Sequence, residues 1–203
     1  MSSNDKNQVL NLYKSWLIDS FLLTGLGLVL GKFIPDTAFL FVAIAFLVSC
    51  LVMVFTKGKM KLYSMYAFNV ITGMFLLNTL EIYAANDIFM AAVITIVVVG
   101  LCVYIATRPG KDYSGLGIFL TIALLGVIVY ELIALFMALP TINGVVVVIF
   151  AFYTVYDVNR FKRCLEDSVY MSDEEIIMHV ANFYLDVVNL FIRILSIVAK
   201  RDD

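Results

Sequence analysis

The stretch His179-Val-Ala-Asn-Phe-Tyr-Leu-Asp-Val-Val-Asn-Leu-Phe-Ile-Arg-Ile-Leu-Ser196 decides the fold. In it His179, Asn182, Asp186, Asn189, Arg193 and Ser196 follow one another at intervals of 3, 4, 3, 4 and 3 residues. Everything between them is Val, Ala, Phe, Leu or Ile, with Tyr184 the one partly polar exception. That spacing places the strongly polar groups on one stripe of an α-helix and leaves the rest of its surface apolar. A helix in water shows the opposite balance. A helix wrapped in hydrocarbon-compatible side chains with a single polar seam belongs inside a membrane bundle. The stretch is therefore predicted to be a central helix whose seam meets partners from its neighbours.

Composition points the same way. The 203 residues are 63% hydrophobic and 15% charged, with a mean hydropathy of +0.98, whereas about a quarter of a soluble chain is charged. A soluble domain of this length has no way to hide so much apolar surface. The net charge of −2 offers no basic surface for nucleic acid. Cys50, Cys102 and Cys164 are far apart and form no Cys-x-x-Cys pair, so they read as small packing residues rather than as a disulfide or a zinc site. The polar start, Met1 to Trp16, lacks a short apolar core ending in a small-residue cleavage site, so no removable signal peptide is expected.

A membrane-spanning helix needs about 20 largely apolar residues. Seven runs qualify, at about 16–34, 37–56, 62–83, 89–107, 116–139, 141–156 and 179–198. Between them stand Pro35-Asp36, Lys57-Gly58-Lys59, Asn86-Asp87, Pro109-Gly110-Lys111-Asp112 and Pro140, the residues expected at turns. Only the sixth connection, Asn159 to Ile177, reads as long, and it is charged. The expected architecture is an all-α integral membrane protein, one polytopic domain of seven transmembrane helices with the C-terminal helix central. Gly27 and Gly31, with Gly25 nearby, have the small-xxx-small spacing that lets another helix approach closely.

Ten of the fourteen Lys and Arg residues, among them Lys6, Lys14, Lys57, Lys59, Lys61, Arg108 and Lys111, fall on one side of this scheme. That places the N-terminus and the even-numbered connections in the cytoplasm of a multi-pass cell-membrane protein. Lys200 and Arg201 would then lie outside, against the rule, unless the last helix crosses only in part.

Ionisable residues inside spans are costly, about 2.5–3.5 kcal/mol at the centre on insertion scales, so each is a candidate for function. Asp19 reads as a solvated residue at the end of the first span. Glu81, late in the third span, and Glu131, about 24 Å along the fifth at 1.5 Å per residue, both approach the outer side. Arg193 lies at similar depth, so it should face Glu131 or, failing that, Glu81. Asp157 ends the sixth span, and Asp186 lies about 10 Å past the start of the seventh, which runs back. Consecutive antiparallel spans thus bring two carboxylates to one depth in the cytoplasmic half. Side by side in a low dielectric they cannot both ionise cheaply, so they would share a proton and titrate as a pair. Fully ionised, they offer the hard oxygen ligands that Ca²⁺ takes. The sole histidine, His179, reads as an interface residue with a minor part in pH response.

At these two segments the chain resembles the Bax inhibitor family, the transmembrane Bax-inhibitor-motif proteins, and in particular their bacterial pH-sensitive calcium-leak members. The resemblance is carried by Phe152-Tyr-Thr-Val-Tyr-Asp157-Val-Asn and by Asn182-Phe-Tyr-Leu-Asp186-Val-Val-Asn189-Leu-Phe191. Over the rest of the chain it lies in the number of spans, the short N-terminus and a third helix bearing Gly73. It implies seven helices with the last one surrounded by the others, and a Ca²⁺ leak gated by protonation of Asp157 and Asp186. Asn182, Asn189, Arg193, Glu131 and Glu81 then join the ion path and its gating. The basic residue that latches the pair in some members has Lys57, Lys59 and Lys61 as its candidates here. The sixth connection, with Glu166, Asp167, Asp173, Glu174 and Glu175, is more acidic than the family pattern and could draw cations to a cytoplasmic mouth.

Two rivals use the same carboxylates: an intramembrane aspartyl protease and a proton-coupled cation exchanger. Against the protease, the second aspartate stands in Tyr-Leu-Asp rather than Gly-x-Gly-Asp, and no Pro-Ala-Leu follows. A retinal-type receptor lacks its buried lysine. A membrane protein acting only through partners, its charges serving helix association, is the broadest alternative. The reading taken forward is a channel rather than an enzyme, with no catalytic residue and no cofactor. Lipid, calcium ions and protons are its partners, and a monomer is its working form.

Overall fold

The computed structural model describes residues 2–137, 139–167 and 170–199. These form seven helices: α1 (Ser3–Gly31), α2 (Phe39–Phe55), α3 (Lys59–Leu80), α4 (Ala85–Ala106), α5 (Leu116–Met137), α6 (Asn143–Asp167) and α7 (Asp173–Val198), with a short 3-10 turn at Asp36–Ala38 before α2. Each overlies one of the seven apolar runs. Five of them, α1, α4, α5, α6 and α7, are long and apolar enough to cross a membrane. The 17 residues of α2 are apolar but extend only about 26 Å at 1.5 Å per residue. Helix α3 is long enough, but it carries Lys59 and Lys61 and buries Ser64, Asn69 and Thr72 against protein, which dilutes its hydropathy.

The helices outrun the apolar runs at both ends of the chain. Helix α1 starts at Ser3 because Ser2 caps it: its Oγ accepts the Asp5 N–H at 3.2 Å and the Asp5 carboxylate accepts the Ser2 N–H at 3.0 Å. The long charged loop expected between Asn159 and Ile177 is mostly helix. Helix α6 continues to Asp167, and α7 begins at Asp173, where Ser172 and Glu175 form a second reciprocal cap. Asp173, Glu174 and Glu175 fill the first turn of α7, where carboxylates complement the helix dipole. Hydropathy marks where the lipid-compatible surface ends, not where the backbone ladder ends.

By contacts the chain divides into two compact units, Met1–Tyr83 with Asp167–Tyr184 and Ala84–Glu166 with Leu185–Asp203. Helix α7 contributes to both. None of its residues from Ile176 to Ser196 is exposed, so its apolar faces are covered by protein as well as its polar seam. Lys200 and Arg201, on which the side of the C-terminus turned, lie outside the described residues.

In the first unit α1 crosses α3 at two glycines. A Cβ on Gly27 would stand 2.9 Å from the Gly73 Cα, and one on Gly73 would stand 2.9 Å from the Gly27 Cα. Gly31 packs on Leu77 and Met74, whereas Gly25 has nothing within 4 Å. Beside the crossing, Tyr184 is completely buried, its hydroxyl 2.6 Å from Thr24 Oγ1, with Phe21 and Phe68 against its ring. Asp19 is not simply solvated: the Tyr66 hydroxyl donates to its carboxylate at 2.7 Å, joining α1 to α3 again.

In the second unit the connection from α4 to α5 is pinned to α6. Arg163 pairs with the exposed Asp112, whose carboxyl is held down to about 2 by the Arg163 guanidinium and the Ser114 N–H. A carboxyl depressed in the folded state contributes stability above its ordinary value of 3.8, and that contribution is lost as pH falls through the folded one. Amide protection in residues 107–115, the exchange rate relative to the intrinsic rate at each pH, should therefore be unchanged from pH 7 to 4 and fall between pH 4 and 2. In Asp112→Asn this acid step should be missing.

Candidate functional site

Asp157 lies on α6 and Asp186 on α7, both in the second unit. They are 7% and 4% exposed and lie within electrostatic range of each other. Asp186 is also within electrostatic range of Cys102 of α4. Around Cys102, Ala106 and Val155 form an apolar cluster, joined by Val98 and Val158. Asp186 Oδ2 is buried with no hydrogen-bond partner among the described residues. An unsatisfied buried polar atom costs about 1–3 kcal/mol, and a charged one more. A carboxylate in that position is relieved by a proton, a cation or water.

Two turns of helix beyond the expected end of the sixth span give the site its frame. Asn159, 1% exposed, donates from Nδ2 to the Ala106 carbonyl at 3.1 Å and the Lys111 carbonyl at 3.2 Å, and its Oδ1 accepts the Tyr113 N–H at 3.1 Å. One side chain thus ties α6 to the end of α4 and to the connection that follows. Lys162 adds bonds to the Thr107 and Arg108 carbonyls at 3.2 and 3.4 Å, placing a positive charge at the negative end of α4. On the other flank Gly117 of α5 leaves room for Tyr156: a Cβ there would stand 2.7 Å from the tyrosine hydroxyl. Asp157 therefore sits between two residues that fix the position of α6. From the sequence Asn159 reads as the start of a loop, whereas it lies inside α6; an uncharged amide two residues after the aspartate is the available signal.

A second polar centre occupies the other end of this unit. Arg193 and Glu131 form a two-point ion pair, Nη1 to Oε1 at 2.7 Å and Nη2 to Oε2 at 2.8 Å, and Nη1 also donates to Asn143 Oδ1 at 3.0 Å. Of the two acids expected to face Arg193, Glu131 is the partner, while Glu81 is an exposed residue capping the end of α3. The side chains are 25% and 37% exposed, so a reversal of either should cost about 1–2 kcal/mol rather than the 3–5 of a fully buried pair. Arg193→Glu and Glu131→Arg should each lower the thermal midpoint, and the double swap should recover most of the loss. A swap no better than the single reversals would show that the pair contributes nothing.

The remaining seam residues take lesser places. Asn189 donates to the Leu185 carbonyl of its own helix at 2.8 Å, and Ser196 to that of Ile192 at 3.0 Å. His179, buried, and Asn182, half-buried, belong to the first unit and not to the carboxylate pair's unit. Of the three lysines considered as a latch, Lys57 and Lys59 are exposed and Lys61 is buried, its Nζ reaching the Thr56 carbonyl at 3.5 Å. Among the described residues no three His, Cys, Asp or Glu side chains gather into a cage for a metal ion.

A family model described as "Inhibitor of apoptosis-promoting Bax1" matches residues 6–203. An uncharacterized protein of Helicobacter pylori is 30% identical over 161 residues, covering 74% of this chain and 67% of its own. Protein LIFEGUARD 1 of Arabidopsis thaliana is 34% identical over 118 residues, 54% of this chain and 48% of its own. The inner membrane protein YbhL of Escherichia coli is 25% identical over 142 residues, 66% and 61% of the two chains.

Proposed function

The chain belongs to the family described as inhibitor of apoptosis-promoting Bax1, and from that premise we propose that it is a pH-sensitive calcium leak channel of the cell membrane, gated by proton sharing between Asp157 and Asp186. The observation that carries this reading is the burial of both carboxylates within range of each other, with one oxygen of Asp186 unsatisfied. With one shared proton the pair is a singly charged unit. With none, it presents two hard anionic oxygens that favour a divalent cation over a monovalent one. Two carboxylates are too few for a resident Ca²⁺ site, which takes six to eight oxygens, and suit an ion in transit. The N-terminus and the Asp157–Asp186 end face the cytoplasm, following the basic residues.

The test is purified protein in liposomes loaded with a Ca²⁺ dye, assayed from pH 5 to 8. A leak passes Ca²⁺ down its own gradient with pH equal on both sides. A requirement for a proton gradient would make it an exchanger instead. Flux indistinguishable from empty liposomes at every pH would refute the channel, and cleavage of a membrane peptide without flux would return the pair to hydrolytic chemistry.

A further inference from the structure

The first unit holds a cavity of about 540 Å³ between the N-terminal ends of α3 and α7 and the side of α1. Its walls include Trp16, Tyr63 and Tyr170, with Lys59, Asp173 and Glu174 among them. Tyr63 and Tyr170 are 63% and 76% exposed, so these rings are kept at the surface rather than spent on the core. Trp16 and Tyr63 stand at the starts of the first and third apolar runs, Lys59 lies between the second and third, and Tyr170 to Glu174 lie five to nine residues before the seventh. Tryptophan and tyrosine at that level are the residues of a membrane–water boundary.

The charges choose the occupant. Three aromatic rings and two carboxylates form a wall that attracts a cation, and a ring face is worth most to an ammonium group taken out of water. Glu174 already accepts the Gly58 N–H, leaving Asp173 as the freer acid. Lys59 adds one positive charge on the same cavity, suited to a phosphate attached to that ammonium. A purely anionic ligand would meet both acids, and a bare cation would leave Lys59 unused.

We infer that this cavity holds an ammonium-bearing phosphodiester, and that its source is the headgroup of a bilayer lipid, phosphatidylethanolamine, with the amine against Asp173 and the aromatic rings and the phosphate on Lys59. The boundary position selects the lipid over its soluble headgroup, because a lipid anchored in the adjoining leaflet is delivered at this level.

Trp16 is the only tryptophan in the chain, so its fluorescence reads this cavity directly. Full-length protein in a neutral maltoside detergent is titrated with short-chain phosphatidylethanolamine, phosphatidylglycerol or phosphoethanolamine without chains. The ethanolamine lipid should give a saturable change, with half-saturation at least about fivefold lower than for the glycerol lipid. Tyr170→Ala, Asp173→Asn and Lys59→Ala, all at exposed positions, should each weaken it by about threefold or more, the first and last without moving the thermal midpoint and Asp173→Asn with a fall of no more than about 4 °C from the lost helix-dipole complement. Equal responses to the two lipids, or variants that titrate as wild type does, would overturn the site. Saturation by free phosphoethanolamine at the same concentration would overturn the lipid as its source.

Discussion

If the proposed leak is right, calcium flux through the wild type should change by at least about tenfold across pH 5 to 8, and Asp186→Asn should abolish that dependence. An amide keeps the shape of the carboxyl but has neither a titrating proton nor a charge to hold a divalent ion. Asp157→Asn should also change the profile, and the two single variants should not add, because each destroys the same two-group unit. A stability measurement separates this from a folding defect. On the same proposal both carboxylates are ionised at pH 8, their repulsion inside a buried site opposes the folded state, and Asp186→Asn should raise the thermal midpoint there. For a chain of this size that is about 2–4 °C for each kcal/mol relieved. On the proposed proton sharing the pair is singly charged at pH 5, and there the same substitution should leave the midpoint nearly unmoved. A variant with wild-type pH dependence of flux would remove the carboxylates from the gate, whatever its midpoint.

The second large effect is on assembly of the first unit. Gly27→Leu should cost about 3 kcal/mol or more, at the upper end of overpacking penalties, because the obstacle is backbone. The new Cβ would press on the Val70 carbonyl and stand 2.9 Å from the Gly73 Cα, and neither can rotate aside. Only separation of α1 from α3 makes room, and that would pull Thr24 from the Tyr184 hydroxyl and Asp19 from Tyr66. A fall of about 6–12 °C in the midpoint, or loss of monodisperse protein, is expected. Gly25→Leu is the control: two residues away, with nothing within 4 Å, it should change the midpoint by less than about 2 °C. Equal behaviour of the two variants would show that the close crossing is not what holds α1 to α3.

These two expectations rest on different kinds of information. The spacing from His179 to Ser196 was enough to make α7 a helix with one polar seam, and composition was enough to place it in a membrane, because periodicity and hydropathy are local properties of the chain. Asp157 and Asp186 could be marked for the same reason, as acids at the end of or inside apolar runs, whereas the weight of the Tyr-Asp and Tyr-Leu-Asp segments came from the family resemblance. Even Arg193 with Glu131 could be matched in advance, since a charge on a membrane helix needs an opposite one at its own depth. Hydropathy alone misread the stretch after Asn159, because charged residues end an apolar run without ending a helix. Asp173 to Glu175, taken for part of a loop, are the capped first turn of α7.

What the tertiary structure decided is which polar groups are satisfied, and by whom. No spacing rule joins Asn159 to the carbonyls of Ala106 and Lys111 some fifty residues away, or Tyr184 to Thr24, or Gly27 to Gly73. Such bonds depend on how two helices cross, and a small change in crossing breaks them while leaving every local preference intact. The same holds for Asp186: its seam position could be read from the sequence, but that one of its oxygens lacks a partner is a property of the packed chain. A helix and its polar stripe need only the residues within a few turns; a buried carboxylate left wanting a proton or a cation needs every neighbour in place around it.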